Sequence, residues 1–262
     1  MKKILTAIWQ YVNPECADTS ALFPVATCRG GEKRRQGAAV RIKKLSAILI
    51  SFAFIGIVCA QNVVAPKVEP IKPTELFNGT NLDGFIFCMK NDADPAKTWS
   101  VENGLLHCNG SAIGYLRTKQ AFTNYIVTVE WRFVKVEPKR DNTGVLVNLQ
   151  APDKVWPVCV QNQGKSTRQG DLFVMAGAEC KEHLALGKDA NTPVTFTVAS
   201  PENPVGQWNT NVTICVGNTV KAVINGKALN QITECTVSNG FVGIQSEGAD
   251  FEIRKISLQP GN

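Results

Sequence analysis

The stretch Tyr125–Val134, YIVTVEWRFV, decides the fold. Tyr125, Val127, Val129, Trp131 and Phe133 fall on one face of an extended chain, and Ile126, Thr128, Glu130 and Arg132 on the other. Such an alternation requires a strand with one face in a core. The opposite face carries Glu130 and Arg132 two residues apart, close enough to pair with each other or to grip a polar ligand. Working outward, the chain from Glu75 onward reads as short strands separated by turn dipeptides: Asn78-Gly79, Asp83-Gly84, Asn103-Gly104, Asn109-Gly110, Asn225-Gly226 and Asn239-Gly240. Further strands are expected at Thr143–Val147, Thr210–Val216, Thr219–Ile224, Gly240–Gln245 and Phe251–Leu258. Only Ala176–Leu186 has room for a turn or two of helix. The expectation is one all-β domain over 75–260, built as two antiparallel sheets packed face to face.

A second stretch, Val155–Asp171 (VWPVCVQNQGKSTRQGD), reads as a strand aimed at something polar. Gln161 and Gln163 lie two apart and project from one face, like a hydrogen-bonding comb. Trp156 and Pro157 lead into this strand, and Gly170-Asp171 opens the next, DLFVM. The plainer alternative is a strand with a solvated polar face.

The first sixty residues are read separately. Arg41, Lys43 and Lys44 precede an apolar run, Leu45 to Val58, and Val58-Cys59-Ala60 supplies the small residues of a cleavage site. Residues 40–60 are therefore expected to be a signal peptide cut before Gln61. The protein would be exported, periplasmic or secreted. Residues 1–39 are either a mis-chosen start or a real, poorly ordered extension. A membrane association would follow only if the signal were retained or Cys59 lipidated, and the residues before Cys59 do not favour a lipoprotein. Residues 61–74, with Pro66, Pro70 and Pro73, are expected to be an extended linker.

Removing this leader changes the charge argument. Nine of the 28 basic and three of the 22 acidic residues precede residue 61, which leaves 19 of each. A neutral mature chain gives no reason to expect a nucleic-acid partner or an anionic membrane surface. Six of the nine cysteines remain: Cys88, Cys108, Cys159, Cys180, Cys215 and Cys235. They allow disulfides, Cys215 with Cys235 and Cys159 with Cys180 being pairs to test, or buried free thiols.

Absences narrow the chemistry. The two histidines of the chain, His107 and His183, cannot assemble a multi-histidine metal centre and read as a strand-edge and a loop residue. Phosphate-binding glycine loops and CxxC pairs do not occur. No metal site and no cofactor are expected, with a divalent cation left open. What remains is carboxylate, amide and aromatic chemistry on a β scaffold, which suits a carbohydrate substrate or ligand. The candidate acids are Glu130, Asp171 and Glu247, the last in the turn Gln245-Ser-Glu-Gly248.

An ordered set of motifs carries a resemblance: Leu76-Phe-Asn-Gly-Thr-Asn-Leu-Asp-Gly84, Trp99-Ser-Val-Glu-Asn-Gly-Leu-Leu106, Thr118-Lys119, Glu130-Trp-Arg132, Asn142-Thr-Gly-Val145, Gly170-Asp171, Gln207-Trp-Asn209, Asn225-Gly226 and Gly243-Ile-Gln-Ser-Glu-Gly248. Together they resemble the 3-keto-disaccharide hydrolase domain over about Thr74 to Pro260. The resemblance implies a concanavalin-like jelly-roll with a polar site on its concave sheet. It also implies cleavage of glycosides whose sugar is oxidised at C3, by elimination and rehydration. Glu130, Asp171 and Glu247 are the matching acids. Arg132, Gln163 and Gln245 are the orienting groups that go with them, and Asn142, Trp156 and Gln161 are further candidate substrate-binding residues. Family members commonly read Ile-Glu-x-Gln where this chain has Val160-Gln161-Asn162-Gln163, and Glu-Trp where it has Gln207-Trp208. An amide cannot carry a proton at neutral pH. If the missing glutamate is the family's base, the chain would be a carbohydrate-binding module on the same fold. A structural adhesion domain would instead require an exposed apolar patch.

Overall fold

The computed structural model describes residues 67–137, 140–187 and 192–261, which belong to one compact unit. The leader expectations for residues 1–66 lie outside the described residues. In chain order the first strands are β1 (Lys67–Val68), β2 (Thr74–Glu75), β3 (Phe85–Met89), β4 (Trp99–Glu102), β5 (Leu105–Cys108), β6 (Gly114–Thr118), β7 (Ala121–Thr123) and β8 (Tyr125–Lys135). The remainder are β9 (Asn142–Leu149), β10 (Cys159–Gln163), β11 (Leu172–Met175), β12 (Asn209–Val216), β13 (Thr219–Ile224), β14 (Lys227–Ile232), β15 (Asn239–Glu247) and β16 (Asp250–Pro260). Among the described residues one short α-helix, α1 (Lys181–Ala185), sits inside the segment expected to hold a turn or two.

The strands form two sheets. The first runs β1-β7-β15-β9-β10-β11, with β6 pairing β15 and β3 pairing β6. The second runs β14-β13-β12-β8-β16-β5-β4, with β2 on β16. Pairing is antiparallel throughout, except that β1 lies parallel to β7. The β1 and β2 contacts revise the linker expectation: Lys67 and Val68 register with Ala121 and Phe122, and Thr74 and Glu75 with Leu258 and Ser257, so the last part of 61–74 is stitched into both sheets. Its backbone groups find ladder partners, which an unpacked tether would leave to water.

Strand β8 behaves as its alternation demands. Tyr125, Val127, Val129, Trp131 and Phe133 are buried, while Ile126, Thr128, Glu130 and Arg132 are half-exposed on the outer face. The β13–β14 turn is set by Asn225 and Gly226, both at positive φ (48° and 79°), the geometry of a tight hairpin whose twist matches its strands. The main core lies between the sheets and is filled from the first sheet by Val145, Val147, Val160, Leu172, Val174 and Ile244. Phe251 stands at its centre, edge-on to Trp99 and Trp131 at centroid distances of 6.0 and 6.2 Å. Each such pair adds about 0.5–1.5 kcal/mol to the burial of its rings. Period-2 alternation then throws Gln161, Gln163, Phe173, Met175, Gln245 and Glu247 to the face of the first sheet turned away from the second.

All six cysteines of the described residues are free thiols, and all but Cys88 are buried. Burial pushes the Cys108, Cys215 and Cys235 thiols up to about 12. They are packing residues with little thiolate at neutral pH. Among the described residues no helix is long and apolar enough to cross a membrane.

Candidate functional site

A groove of about 510 Å³ opens on the outer face of the first sheet. One wall is polar: Asn142 from β9, Gln161 and Gln163 from β10, and Gln245 and Glu247 from β15. The other is apolar: Trp156 from the loop before β10, Phe173 and Met175 from β11, and Ala176 just beyond. A concave site with one amphipathic rim and a few converging polar groups is the usual form of a small-ligand site.

Register explains the polar wall. Gln163 and Gln245 both stand opposite Gly144 of the intervening β9, and Glu247 stands opposite Asn142. Because Gly144 has no side chain, the Gln161 amide lies across it, and a Cβ there would overlap that amide. Gln161 Nε2 therefore crosses β9 and donates to Gln245 Oε1 at 2.8 Å. Gln245 Nε2 in turn donates to Glu247 Oε2 at 2.8 Å, and Asn142 Nδ2 donates to the same oxygen at 2.6 Å. Replacing Gly144 with alanine should push the Gln161 amide out of this bridge and cost about 1–3 kcal/mol by overpacking. Ligand binding should fall with it. Denaturant melts and ligand titration of Gly144→Ala check both, and native values in both would contradict the geometry.

Burial raises the Glu247 carboxyl above the ordinary glutamate range, against the opposing pull of the Asn142 and Gln245 donors and the Lys165 charge. Lys165 is itself drawn toward Asp141, at 3.9 Å. Gln163 is held from behind: the main-chain N–H groups of Gly164 and Lys165 donate to its Oε1 at 2.9 and 3.2 Å. Gly164 lies against Trp131, where a Cβ would collide with the indole, so the loop after β10 is seated on the core. Trp131 Nε1 also donates to Gln169 Oε1 of that loop at 2.9 Å.

The loop that carries Trp156 is clamped to the same face. Arg117 on β6 holds Asp153 with two bonds of 2.6 Å, and Tyr115 O–H donates to Asp153 at 3.0 Å. The Arg117 guanidinium rests 4.0 Å over the Phe241 ring. Burial would raise the Asp153 carboxyl, but Arg117 overcomes it and holds the group below its usual range. Trp156 stays 44% exposed, an indole presented to the groove by a fixed loop.

Six of the nine residues singled out from the sequence line this groove: Asn142, Trp156, Gln161, Gln163, Gln245 and Glu247. The other three do not. Glu130 and Arg132 project from β8 on the outer face of the second sheet, with the full thickness of the core between them and the groove. Glu130 accepts from Arg254 at 2.6 Å, Arg132 pairs with Glu252 at 2.7 Å, and both guanidiniums lie 4.6 Å from the Trp208 ring. They form a surface ion-pair array. Asp171 is buried and gripped by Arg168 through two bonds of 2.6 Å, with Phe196 N donating at 3.1 Å. Burial raises its pKa. Its work is to tie the loop after β10 to the Phe196 segment. His107, read as a strand-edge residue, bonds Asp250 at 2.8 Å, and His183 is buried on α1. Phe173, Met175 and Ala176 were not anticipated. Their signal was present in DLFVM, where Phe173 and Met175 alternate with the core residues Leu172 and Val174.

A two-sheet antiparallel sandwich with an amide-and-acid groove on one outer face is the class that fold and site define. The chain belongs to the family of 3-keto-α-glucoside-1,2-lyase-like domains, whose pattern matches residues 72–259. No curated protein matches the sequence. Among solved structures, two proteins of Parabacteroides distasonis provisionally named as glycosyl hydrolases share the fold. One is 18% identical with a TM-score of 0.52, covering 72% of this chain and 99% of that one. The other is 19% identical with a TM-score of 0.53, covering 72% and 94%. A Bacillus subtilis protein of unknown function with a galectin-like fold is 10% identical with a TM-score of 0.51, covering 74% and 97%.

Proposed function

We propose that the protein cleaves glycosides whose sugar is oxidised at C3, by elimination across C1–C2 followed by hydration, with Glu247 as the proton-transfer group. The observation that carries this reading is that, among the described residues, Glu247 is the single carboxylate lining the groove. Hydrolysis of an ordinary glycoside uses two carboxylates about 5–9.5 Å apart. Elimination next to a ketone needs one base, because the 3-keto group acidifies the C2 proton. Glu247 takes that proton and the electron pair moves toward the ketone oxygen. The C1–O bond then breaks, and the proton on Glu247 passes to the departing oxygen. Water adds to the enone at C1 and returns a free 3-keto sugar.

A carboxyl whose pKa burial has raised suits both halves of this exchange. Gln163, with its Oε1 occupied by main-chain donors, has its Nε2 to offer the ketone oxygen as negative charge develops. Gln161 spends its Nε2 on Gln245 and keeps Oε1 for a sugar hydroxyl. Trp156 supplies a flat face for the ring or the leaving group. Family membership and the fold shared with the two glycosyl-hydrolase-named proteins support a glycoside substrate. Export through the apolar run before residue 61, with the protein acting outside the cytoplasm, belongs to the same proposal. No step draws on a metal or cofactor.

A second reading, a carbohydrate-binding module, is favoured by the amide at Gln161, which cannot act as an acid or base. Purified protein incubated with a 3-keto-glucoside carrying a chromogenic leaving group, beside the unoxidised glucoside, separates the two. The enzyme reading expects release from the oxidised substrate only. Saturable binding without release would replace it with the module.

A further inference from the structure

The orientation of the three glutamine amides in the polar wall is dictated by main-chain groups that cannot be reversed. Gly164 N and Lys165 N are donors, so the Gln163 atom facing them is its oxygen. Gln161 meets that oxygen at 3.3 Å and the Thr143 carbonyl at 3.4 Å, two acceptors, so it turns its NH2 toward them. The same NH2 meets Gln245, which must then present its oxygen, at 2.8 Å. Gln245 is left with only its own NH2 to turn toward Glu247, at 2.8 Å. The polarity set by two backbone N–H groups and one carbonyl thus runs through three side chains and ends as a donor on a carboxylate.

We propose that Gln161 is a positioning residue for Glu247: acting through Gln245, it keeps a hydrogen-bond donor on Glu247 Oε2 and so holds this carboxylate in its proton-accepting form. Its meaning for turnover rests on the reading of Glu247 as the base, but the relay itself does not. If position 161 cannot donate, the Gln245 amide is held only by the ionised form of Glu247 itself, and protonating Glu247 frees it to turn. A Gln245 turned over would present its oxygen to Glu247, which favours the protonated acid. Asn142 Nδ2 remains as the second donor, and Lys165, with Asp141 beside it, is the charge acting on Glu247. Neither changes when only position 161 is altered. Thr143 O keeps its bond from Gly164 N without Gln161, so losing the amide leaves no main-chain group unpaired.

The test is a carbon-13 NMR titration of the Glu247 carboxyl in the native protein, Gln161→Met, Gln245→Met and the double variant. Methionine matches glutamine in length and cannot donate. The relay expects Gln161→Met to make Glu247 a weaker acid by roughly tenfold, the scale of one hydrogen bond to a charged group. Gln245→Met should do at least as much, and the double variant no more than Gln245→Met alone. A native titration in Gln161→Met, or single effects that simply add, would overturn the relay. Should Gln161→Met fail to fold, Gln161→Glu carries the test: Gln245 would turn its NH2 to the introduced carboxylate, so the Glu247 titration should rise in Gln161→Glu and rise less once Gln245 is also replaced by methionine. Because the readout is ionisation, a working relay in a protein that releases no sugar would sink the enzyme reading and leave the relay standing.

Discussion

Glu247→Gln should cripple turnover of a 3-keto-glycoside, lowering kcat by about 10²–10⁴-fold, the usual contribution of one positioned acid-base group. Binding should survive, since the glutamine oxygen still accepts from Asn142 and Gln245. On the proposed reading, activity of the native protein should be lost as pH falls through the folded pKa of Glu247, which lies above the ordinary glutamate range. The stability sign runs the other way. A raised folded pKa means that folding favours the protonated acid, so this stabilisation is complete below the unfolded glutamate pKa and is lost as pH rises through the folded one. Glu247→Gln should therefore melt higher than the native protein at pH 7, with the gap closing toward pH 4. Full activity in the variant would remove Glu247 from the chemistry.

Asp153→Ala should be the most damaging change to the scaffold near the groove. It leaves Arg117, 8% exposed, as a buried cation without its partner. Breaking such a pair costs about 3–5 kcal/mol when both groups are fully buried; Asp153 is partly exposed, so about 2–4 kcal/mol is expected. That corresponds to a fall in Tm of roughly 5–15 °C for a domain of this size. The loop bearing Trp156 should loosen at the same time, so ligand affinity should fall in the surviving folded protein. In the native protein this contribution should fade as acid protonates Asp153: its folded pKa is depressed, so the stabilisation holds above the unfolded aspartate pKa and is lost as pH falls through the folded value. A Tm within 2 °C of native at neutral pH, roughly what 1 kcal/mol would move, would show that Arg117 is held by something other than Asp153.

Alternation within a strand was enough to read much of the site. Gln161 and Gln163 share a face because they are two apart, and Gln245 and Glu247 repeat the pattern on β15. Alternation says which residues share a face and is silent on which sheet owns the strand. Glu130 and Arg132 were read correctly as the outward face of β8, but β8 pairs with β12 and β16, residues some eighty and more than a hundred positions downstream, and that pairing carries them to the far side of the core. Asp171 failed for a local reason: Arg168 sits three residues before it and claims both of its carboxylate oxygens. The relay was beyond reach because it depends on β9 lying between β10 and β15 with Gly144 at the crossing, a long-range register that short-range pattern does not encode.

The most direct measurement is the reaction in D2O, followed by proton NMR of the released 3-keto sugar and corrected for enzyme-free exchange. Elimination through Glu247 predicts one deuterium at C2, incorporated at the rate of release and absent with Glu247→Gln. Release of sugar that keeps its C2 proton would contradict the account, because the glycosidic bond would then have broken without the step that Glu247 is placed to perform.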